Sequence, residues 1–253
     1  MKNPFSVKNK VVIITGISGD IGKAIGLGFV ENGSIVHGFD LKNHYKTQKI
    51  PNLFFHKCDI TKPKSFSKHI SQIFKKYNHI DVLVNCAGIS LQAEKPHQKY
   101  SHSNWNKTIK INLTAQFYCT QTVIPFMVKN NSGSIINITS INAELGFPRN
   151  PSYVASKGGL KMLGKSFAKD WGSFGIRVNS IGPGYIKTNM TKKTYTNKTT
   201  KKQRAMHTML GRWGLPNDLV GPSIFLASDA SSYITGQDIY VDGGWISNSI
   251  ITE

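Results

Sequence analysis

The sequence predicts a single α/β domain built on a doubly wound parallel sheet of about seven strands. Three observations predict it. Short β-branched runs alternate with longer helical patterns along the whole chain. Most of those runs are apolar at nearly every position, as strands covered on both faces must be. A glycine-rich turn separates the first run from the first helical pattern.

The strand candidates are KVVIIT (10 to 15), SIVHGF (34 to 39), NLFFHKC (52 to 58), IDVLVN (80 to 85), SIINITS (134 to 140), IRVNSI (176 to 181) and QDIYVD (237 to 242). Helical patterns fill the gaps near 20 to 32, 63 to 77, 103 to 130, 152 to 174 and 216 to 228. This βαβα order places helices on both faces of the sheet, with right-handed crossovers. Ligands of such sheets sit beyond the carboxyl ends of the strands, so the residues just after each run are the candidate site.

At 253 residues the chain is long enough to bury a full core within one domain, and no repeat or low-complexity linker divides it. No run approaches the roughly 20 apolar residues of a membrane span, and the short apolar run at the N-terminus is strand-like rather than a signal peptide. Cys58, Cys86 and Cys119 are odd in number and far apart, which fits a reducing cytoplasm and no metal. Lys and Arg number 32 against 13 Asp and Glu, a net charge of +19. The lysines are scattered and no nucleic-acid module accompanies them, so neither a nucleic-acid nor a membrane partner is expected. One cluster stands apart: TKKTYTNKTTKKQR, residues 191 to 204, holds six basic residues and no acid.

After the first strand come Thr15-Gly16, Ser18-Gly19-Asp20-Ile21 and Gly22, then a helix. Glycines here permit a tight turn, close approach of backbone N–H groups to a pyrophosphate, and tight packing of helix on strand. The second strand ends in Asp40, 24 residues after Gly16, where a carboxylate accepts hydrogen bonds from ribose hydroxyls. The same charge repels a 2′-phosphate, so NAD(H) is expected over NADP(H); Lys42 argues weakly the other way. Asp59-Ile60 ends the third strand where an adenine amino group can be met, although a plain turn role for Asp59 explains it as well. Asn85-Cys86-Ala87-Gly88 ends the fourth with small residues that let a flat ligand lie on the backbone. Cys86 reads as a small buried filler.

SYVASK, residues 152 to 157, puts Tyr153 and Lys157 four apart on one helix face. An ammonium beside a phenol favours the phenolate and lowers its pKa from about 10, making Tyr153 a usable proton donor and acceptor. Ser140 closes the fifth strand, where its hydroxyl can hold a substrate oxygen. Asn112, in a helix, can anchor a water that passes protons to Lys157. Each residue taken singly has an ordinary structural explanation; together they fall on the side of the sheet where the glycine loop lies.

With these residues in view, the chain is similar over essentially its whole length to the short-chain dehydrogenase/reductase family. The resemblance rests on TGISGDIG, Asp59, NCAG (85 to 88), Asn112, Ser140, Tyr153, Lys157, Pro183-Gly184 and the closing VDGG (241 to 244). It implies a Rossmann-type fold, a nicotinamide cofactor, hydride transfer to or from a carbonyl or secondary alcohol, Asn-Ser-Tyr-Lys catalysis and a homotetramer or homodimer. It also implies that Ile186 and Thr188 hold the nicotinamide carboxamide. One departure is plain: the family's commoner loop has its second glycine where Asp20 stands. The expectation is that the backbone N–H near residue 20 faces the phosphate while the carboxylate points away, favoured by the helix dipole and adding modest discrimination against NADP.

The second half is most similar to gluconate 5-dehydrogenase and related sugar-acid or polyol enzymes, with 3-oxoacyl-[acyl-carrier-protein] reductase as the nearest competitor. A nicotinamide-sensing protein without catalysis is the alternative of another class, and the retained Tyr153 and Lys157 speak against it. Substrate-facing candidates are Ser140, Asn142, Glu144, Arg149, Tyr153 and Tyr185. The segment 189 to 210 interrupts the strand-helix alternation and reads as a lid. Its basic residues either steer an anionic substrate, receive an acidic carrier protein, or form a solvated helix.

Overall fold

The computed structural model describes residues 3–43, 50–95 and 99–248. Seven parallel strands form one sheet in the order β3-β2-β1-β4-β5-β6-β7. They are β1 (Val11–Thr15), β2 (Ile35–Asp40), β3 (Leu53–Lys57), β4 (Val82–Asn85), β5 (Gly133–Ile138), β6 (Ile176–Pro183) and β7 (Asp238–Val241). The predicted sheet is confirmed in strand number and direction. Winding starts at β1, runs outward to β3, and restarts on the other side with β4. The connections from β1 and β4 therefore leave in opposite directions and open a crevice between their carboxyl ends, where Thr15 pairs with Asn85.

Strand period explains the two cores. Val11 and Ile13 point to one face, into a cluster with Phe39, Phe66, Leu83 and Met127. Val12 and Ile14 point to the other, with Ile25, Phe29, Val84 and Leu226. The first face is covered by α2 (Pro63–Tyr77), α4 (Ala115–Lys129) and α5 (Pro151–Trp171), the second by α1 (Asp20–Glu31) and α8 (Val220–Ala227). Full burial on both faces is why β1, β4 and β5 carry no polar face.

Three predicted elements differ in detail. The strand at 52 to 58 shortens to β3, whose residues are all partly or fully exposed, because it is the sheet edge. The helix at 216 to 228 begins as a 3₁₀ turn over Pro216–Leu219 before α8. The single helix at 103 to 130 divides into α3 (His102–Ile109) and α4, joined by a π turn at Lys110–Thr114. A π turn inserts one extra residue into the helical ladder, a feature found mostly at functional sites, and this one carries Asn112. The segment read as a lid folds into α6 (Lys192–Thr196) and α7 (Lys198–Met206). Among the described residues no helix is long and apolar enough to cross a membrane.

An imidazole stack packs the β2–β3 edge. His37 Nδ1 lies 2.9 Å from His56 Nε2, its ring stacks on Phe54, and its Nε2 is buried without a partner. Burial, then His56 and Lys76, lowers the His37 pKa to about 3; burial, then His69, lowers that of His56 to about 4. Both are held neutral in the fold, whereas the unfolded chain takes up protons near pH 6.5. Their contribution to stability is therefore complete above pH 6.5 and is lost as pH falls toward 4. Thermal melts between pH 7 and 4 should show Tm falling steadily below pH 6.5, and His37→Phe should flatten that slope. A flat Tm over this range in the parent protein would contradict the assignment.

Candidate active site

A groove of about 560 Å³ lies over the carboxyl ends of β1, β4 and β5. Its floor at β1 exists because Gly16 adopts φ +73° and lacks a side chain: a Cβ there would stand 2.7 Å from Ala87 Cα. Gly22 has the same function one turn later, where a Cβ would meet Gly16 O at 2.2 Å. Thr15, which sequence reasoning passed over, locks the two loops together. Its hydroxyl oxygen accepts the backbone N–H groups of Cys86 and Ala87 at 3.1 and 3.2 Å. Gln116 continues the brace by donating to the Ala87 carbonyl at 2.7 Å. A buried Thr before the glycine loop and a Gln four positions after Asn112 were the only signals for this brace.

Most of the predicted cofactor residues line this groove: Gly16, Ser18, Asp20, Ile21, Asp40, Asp59, Ile60, Ala87, Gly88, Pro183, Gly184, Ile186 and Thr188, together with Tyr153 and Lys157. Asp40 sits at one end, its carboxylate accepting the N–H groups of Ser18 (3.0 Å) and Leu41 (2.7 Å). Asp59 serves both readings, since it lines the groove and also closes a turn by accepting from Thr61 N and Oγ1. Asn85 does not line it. Its carboxamide is buried and donates to Thr120 Oγ1 and Asn137 Oδ1, both at 2.9 Å, so it ties β4 to α4 and β5 instead. Burial pushes the Cys86 thiol up to about 12, which leaves it unreactive at neutral pH.

The groove fits a dinucleotide. α1 starts at Gly19 with no capping side chain, so its first-turn N–H groups and dipole are presented to an anion. Asp20, whose presence in such a loop is unexpected, turns its carboxylate across the groove rather than toward this anion site. Oδ2 accepts the Asn189 backbone N–H at 2.6 Å and Oδ1 accepts Asn189 Nδ2 at 3.3 Å. The expectation of a carboxylate pointing away thus holds with a purpose attached: Asp20 latches the segment that follows β6.

At the other end stand Tyr153 and Lys157 on the first two turns of α5. Ser140 ends the run of β5, with its hydroxyl in hydrogen-bonding reach of the Tyr153 phenol. Lys157 is buried, and its Nζ donates to the Ile138 carbonyl at 2.6 Å. The Lys157 ammonium lies 5.8 Å from the centre of the Tyr153 ring. Desolvation outweighs attraction here. Burial lowers the Lys157 pKa to about 8 and raises that of Tyr153, to which the Ser140 hydrogen bond is the lesser, opposing contribution. The sequence expectation of a phenol made acidic by its neighbour is corrected on this point: without ligand the site holds Tyr153 as a neutral phenol, ready to donate. Burial disfavours the charged forms of both groups.

Asn112 reaches this centre, but its carboxamide is engaged by protein. It pairs with the backbone of Ile89 in both directions, each at 2.8 Å, and donates to Ser156 Oγ at 3.2 Å. Its side chain therefore positions the turn after β4 against the helix that carries Lys157. Two substrate candidates have protein partners of their own. Arg149 donates to the Glu94 carbonyl at 2.9 Å and Glu144 is bound by Lys161 and Tyr240, so both are held outside the groove. The Ser140 hydroxyl caps the turn that follows it, accepting the Asn142 backbone N–H at 3.1 Å. Tyr185 lies closer to the chemistry, near enough for its phenol to raise the Tyr153 pKa.

A family model described as Enoyl-(Acyl carrier protein) reductase matches residues 16–246. The chain belongs to the short-chain dehydrogenase/reductase family. It is 38% identical to a sorbose reductase of Candida albicans over 95% of this chain and 88% of that one. It is 35% identical to a 3-oxoacyl-[acyl-carrier-protein] reductase of Thermotoga maritima over 95% of this chain and 99% of the relative. Among solved structures, a gluconate 5-dehydrogenase from Burkholderia cenocepacia in complex with NADP and tartrate superimposes with a TM-score of 0.91. That enzyme is 30% identical, with 97% of this chain and 98% of the other covered. Short-chain dehydrogenases of this family use NAD(P) to interconvert carbonyls and secondary alcohols, and this chain is such an oxidoreductase.

Loss of the Asp20 latch should be measurable without any substrate. Asp20→Ala removes two partly exposed hydrogen bonds, and the dinucleotide Kd should rise about three- to tenfold by calorimetry. An affinity that is unchanged or tighter would show that the latch does not contribute to closing the groove.

Proposed function

We propose that this enzyme transfers hydride between NAD(H) and a carbonyl or secondary alcohol of a sugar acid, polyol or related sugar derivative. The observation that carries the reading is the convergence of Ser140, Tyr153 and Lys157 at the end of β5, facing a groove that ends in Asp40. A bound nicotinamide supplies or receives the hydride. In the reductive direction Ser140 holds the substrate oxygen, and Tyr153, kept protonated by burial, delivers the proton to it. Lys157, anchored on Ile138, restores that proton and is well placed to hold the nicotinamide ribose. Asn112 keeps the turn after β4 in register with this relay.

NAD(H) is favoured over NADP(H) by the Asp40 carboxylate, fixed by two backbone donors where an extra phosphate would sit. The sugar reading is supported by relatives named for sorbose and gluconate. The similarity to 3-oxoacyl-[acyl-carrier-protein] reductases keeps acyl thioesters as the second reading. A homotetrameric or homodimeric cytoplasmic enzyme completes the proposal, on family resemblance.

A panel of ketoses, keto-acids, polyols and acetoacetyl thioesters, assayed with both cofactors, tests substrate and cofactor together. Sugar compounds should give the highest kcat/KM, with a lower KM for NADH than for NADPH. Tyr153→Phe should lower kcat/KM by about 10²-fold or more; retention within a few-fold would remove its role. Since Lys157 titrates near 8 while Tyr153 stays protonated, the reductive rate should fall as pH rises through about 8. In Lys157→Arg, whose side chain does not titrate there, that descending limb should disappear along with most of the activity.

A further inference from the structure

The lid carries one cation in a setting unlike the rest. The Arg204 guanidinium, on α7, has its Cζ 4.4 Å from the centre of the Tyr185 ring and 5.4 Å from that of Trp245. Those two rings are 4.7 Å apart, and His207 packs edge-on to Trp245 at 4.0 Å. Lys187 and Lys201 rest instead on Tyr195, which reaches Tyr185 only through Trp213.

Tyr185 is the link to the chemistry. It follows the groove residue Gly184, and its phenol is close enough to influence that of Tyr153. The Arg204 guanidinium thus rests on a ring whose chain neighbours, Gly184 and Ile186, line the groove. Resting on ring faces gives Arg204 a cation–π attraction without using any of its N–H donors. Among the described residues none of those donors has a hydrogen-bond acceptor. The acids that could compete are engaged elsewhere: Asp242 by Gly244 N and Ile246 N, Asp218 by Arg212, Glu144 by Lys161, and Asp20 by Asn189.

We propose that Arg204 is the anchor for the carboxylate of the substrate, which makes this enzyme's preferred substrates sugar acids rather than neutral sugars. The inference rests on the sugar reading of the active site and narrows it. A planar guanidinium with a free fork is the group best suited to bind a carboxylate through two parallel hydrogen bonds. Stacking on Tyr185 and Trp245 fixes the fork in advance, so little side-chain entropy remains to be lost on binding. A sugar acid separates its carboxylate from the reacting carbon by several bonds, so the charge can be held on the lid side of Tyr185 while the reacting carbon lies in the groove. A neutral ketose offers this guanidinium no charge, and neither does the reacting end of an acyl thioester.

The test compares 5-keto-D-gluconate, L-sorbose and acetoacetyl-CoA as substrates for the parent enzyme, Arg204→Lys and Arg204→Gln. The parent should favour the keto-acid, and the ratio of kcat/KM for keto-acid over ketose should collapse at least about tenfold in Arg204→Gln, through KM. Arg204→Lys, which keeps the charge without the fork, should fall between. Equal losses on all three compounds would mean that Arg204 only holds the lid, and would overturn the proposal, as would a parent enzyme with no preference for the keto-acid. A separate measurement covers the case in which no sugar is turned over and the sugar reading itself fails. Titration with D-gluconate, followed by the fluorescence of Trp245 beneath Arg204, should give a saturable change in the parent that Arg204→Gln loses. No saturable change in the parent overturns the carboxylate site.

Discussion

The site depends on how closely two backbone turns approach each other, where Gly16 meets Ala87. With 2.7 Å between the place of a Gly16 Cβ and Ala87 Cα, no side chain fits, and the Thr15 hydroxyl bridges the loops from below. That contact draws the carboxyl ends of β1 and β4 into one floor. The groove, the anion-binding start of α1 and the turn that meets Asn112 all take their position from it. Any residue other than glycine at 16 would need both left-handed backbone and room that does not exist, so the loss would reach cofactor binding and the proton relay together.

A second constraint is the cost of burying charge. Lys157 is removed from water and given a single carbonyl partner, Ile138, which is too little to restore what hydration supplied. Its pKa consequently falls toward the working range, and the phenol beside it shifts in the opposite sense. Transfer of a proton from the Lys157 ammonium to a Tyr153 phenolate is thereby made downhill, which keeps the phenol protonated. The scaffold supports this with rigid elements: a strand end for Ser140, the first turns of a long helix for Tyr153 and Lys157, and a π turn for Asn112.

The fold was legible in the sequence because a doubly covered parallel sheet writes continuous apolar runs that few other structures write. The candidate catalytic pair was legible for a related reason: Tyr153 and Lys157 share one helix, so spacing alone puts them on one face. What was not legible involves partners distant in the chain. The Asp20 carboxylate answers to Asn189, Arg149 to the Glu94 carbonyl, and Asn85 to Thr120 and Asn137. No local pattern announces such pairs, and a polar residue at a strand end looks the same whether it turns out to the ligand or in to the core. The sign of the Tyr153 shift was hidden likewise, since spacing reports that an ammonium is near but not that both groups are dry.

The lid shows how weak contacts are distributed for function. At its start Asn189 hangs on the partly exposed Asp20; near its end Arg204 rests on Tyr185 and Trp245. Contacts of this kind contribute on the order of 1 kcal/mol each. Further ties run from the Trp213 indole to the Lys201 carbonyl at 3.0 Å, from Asn248 to the His207 carbonyl at 2.9 Å and from Leu210 N to Gly243 O at 3.2 Å, while neither α6 nor α7 contains a fully buried residue. Helices without buried residues are held by surface contacts and are among the parts of a fold that cost least to open. One end of the segment meets Asp20 at the glycine turn and the other meets Tyr185 beside Gly184, so a shift of the segment is felt at both ends of the groove.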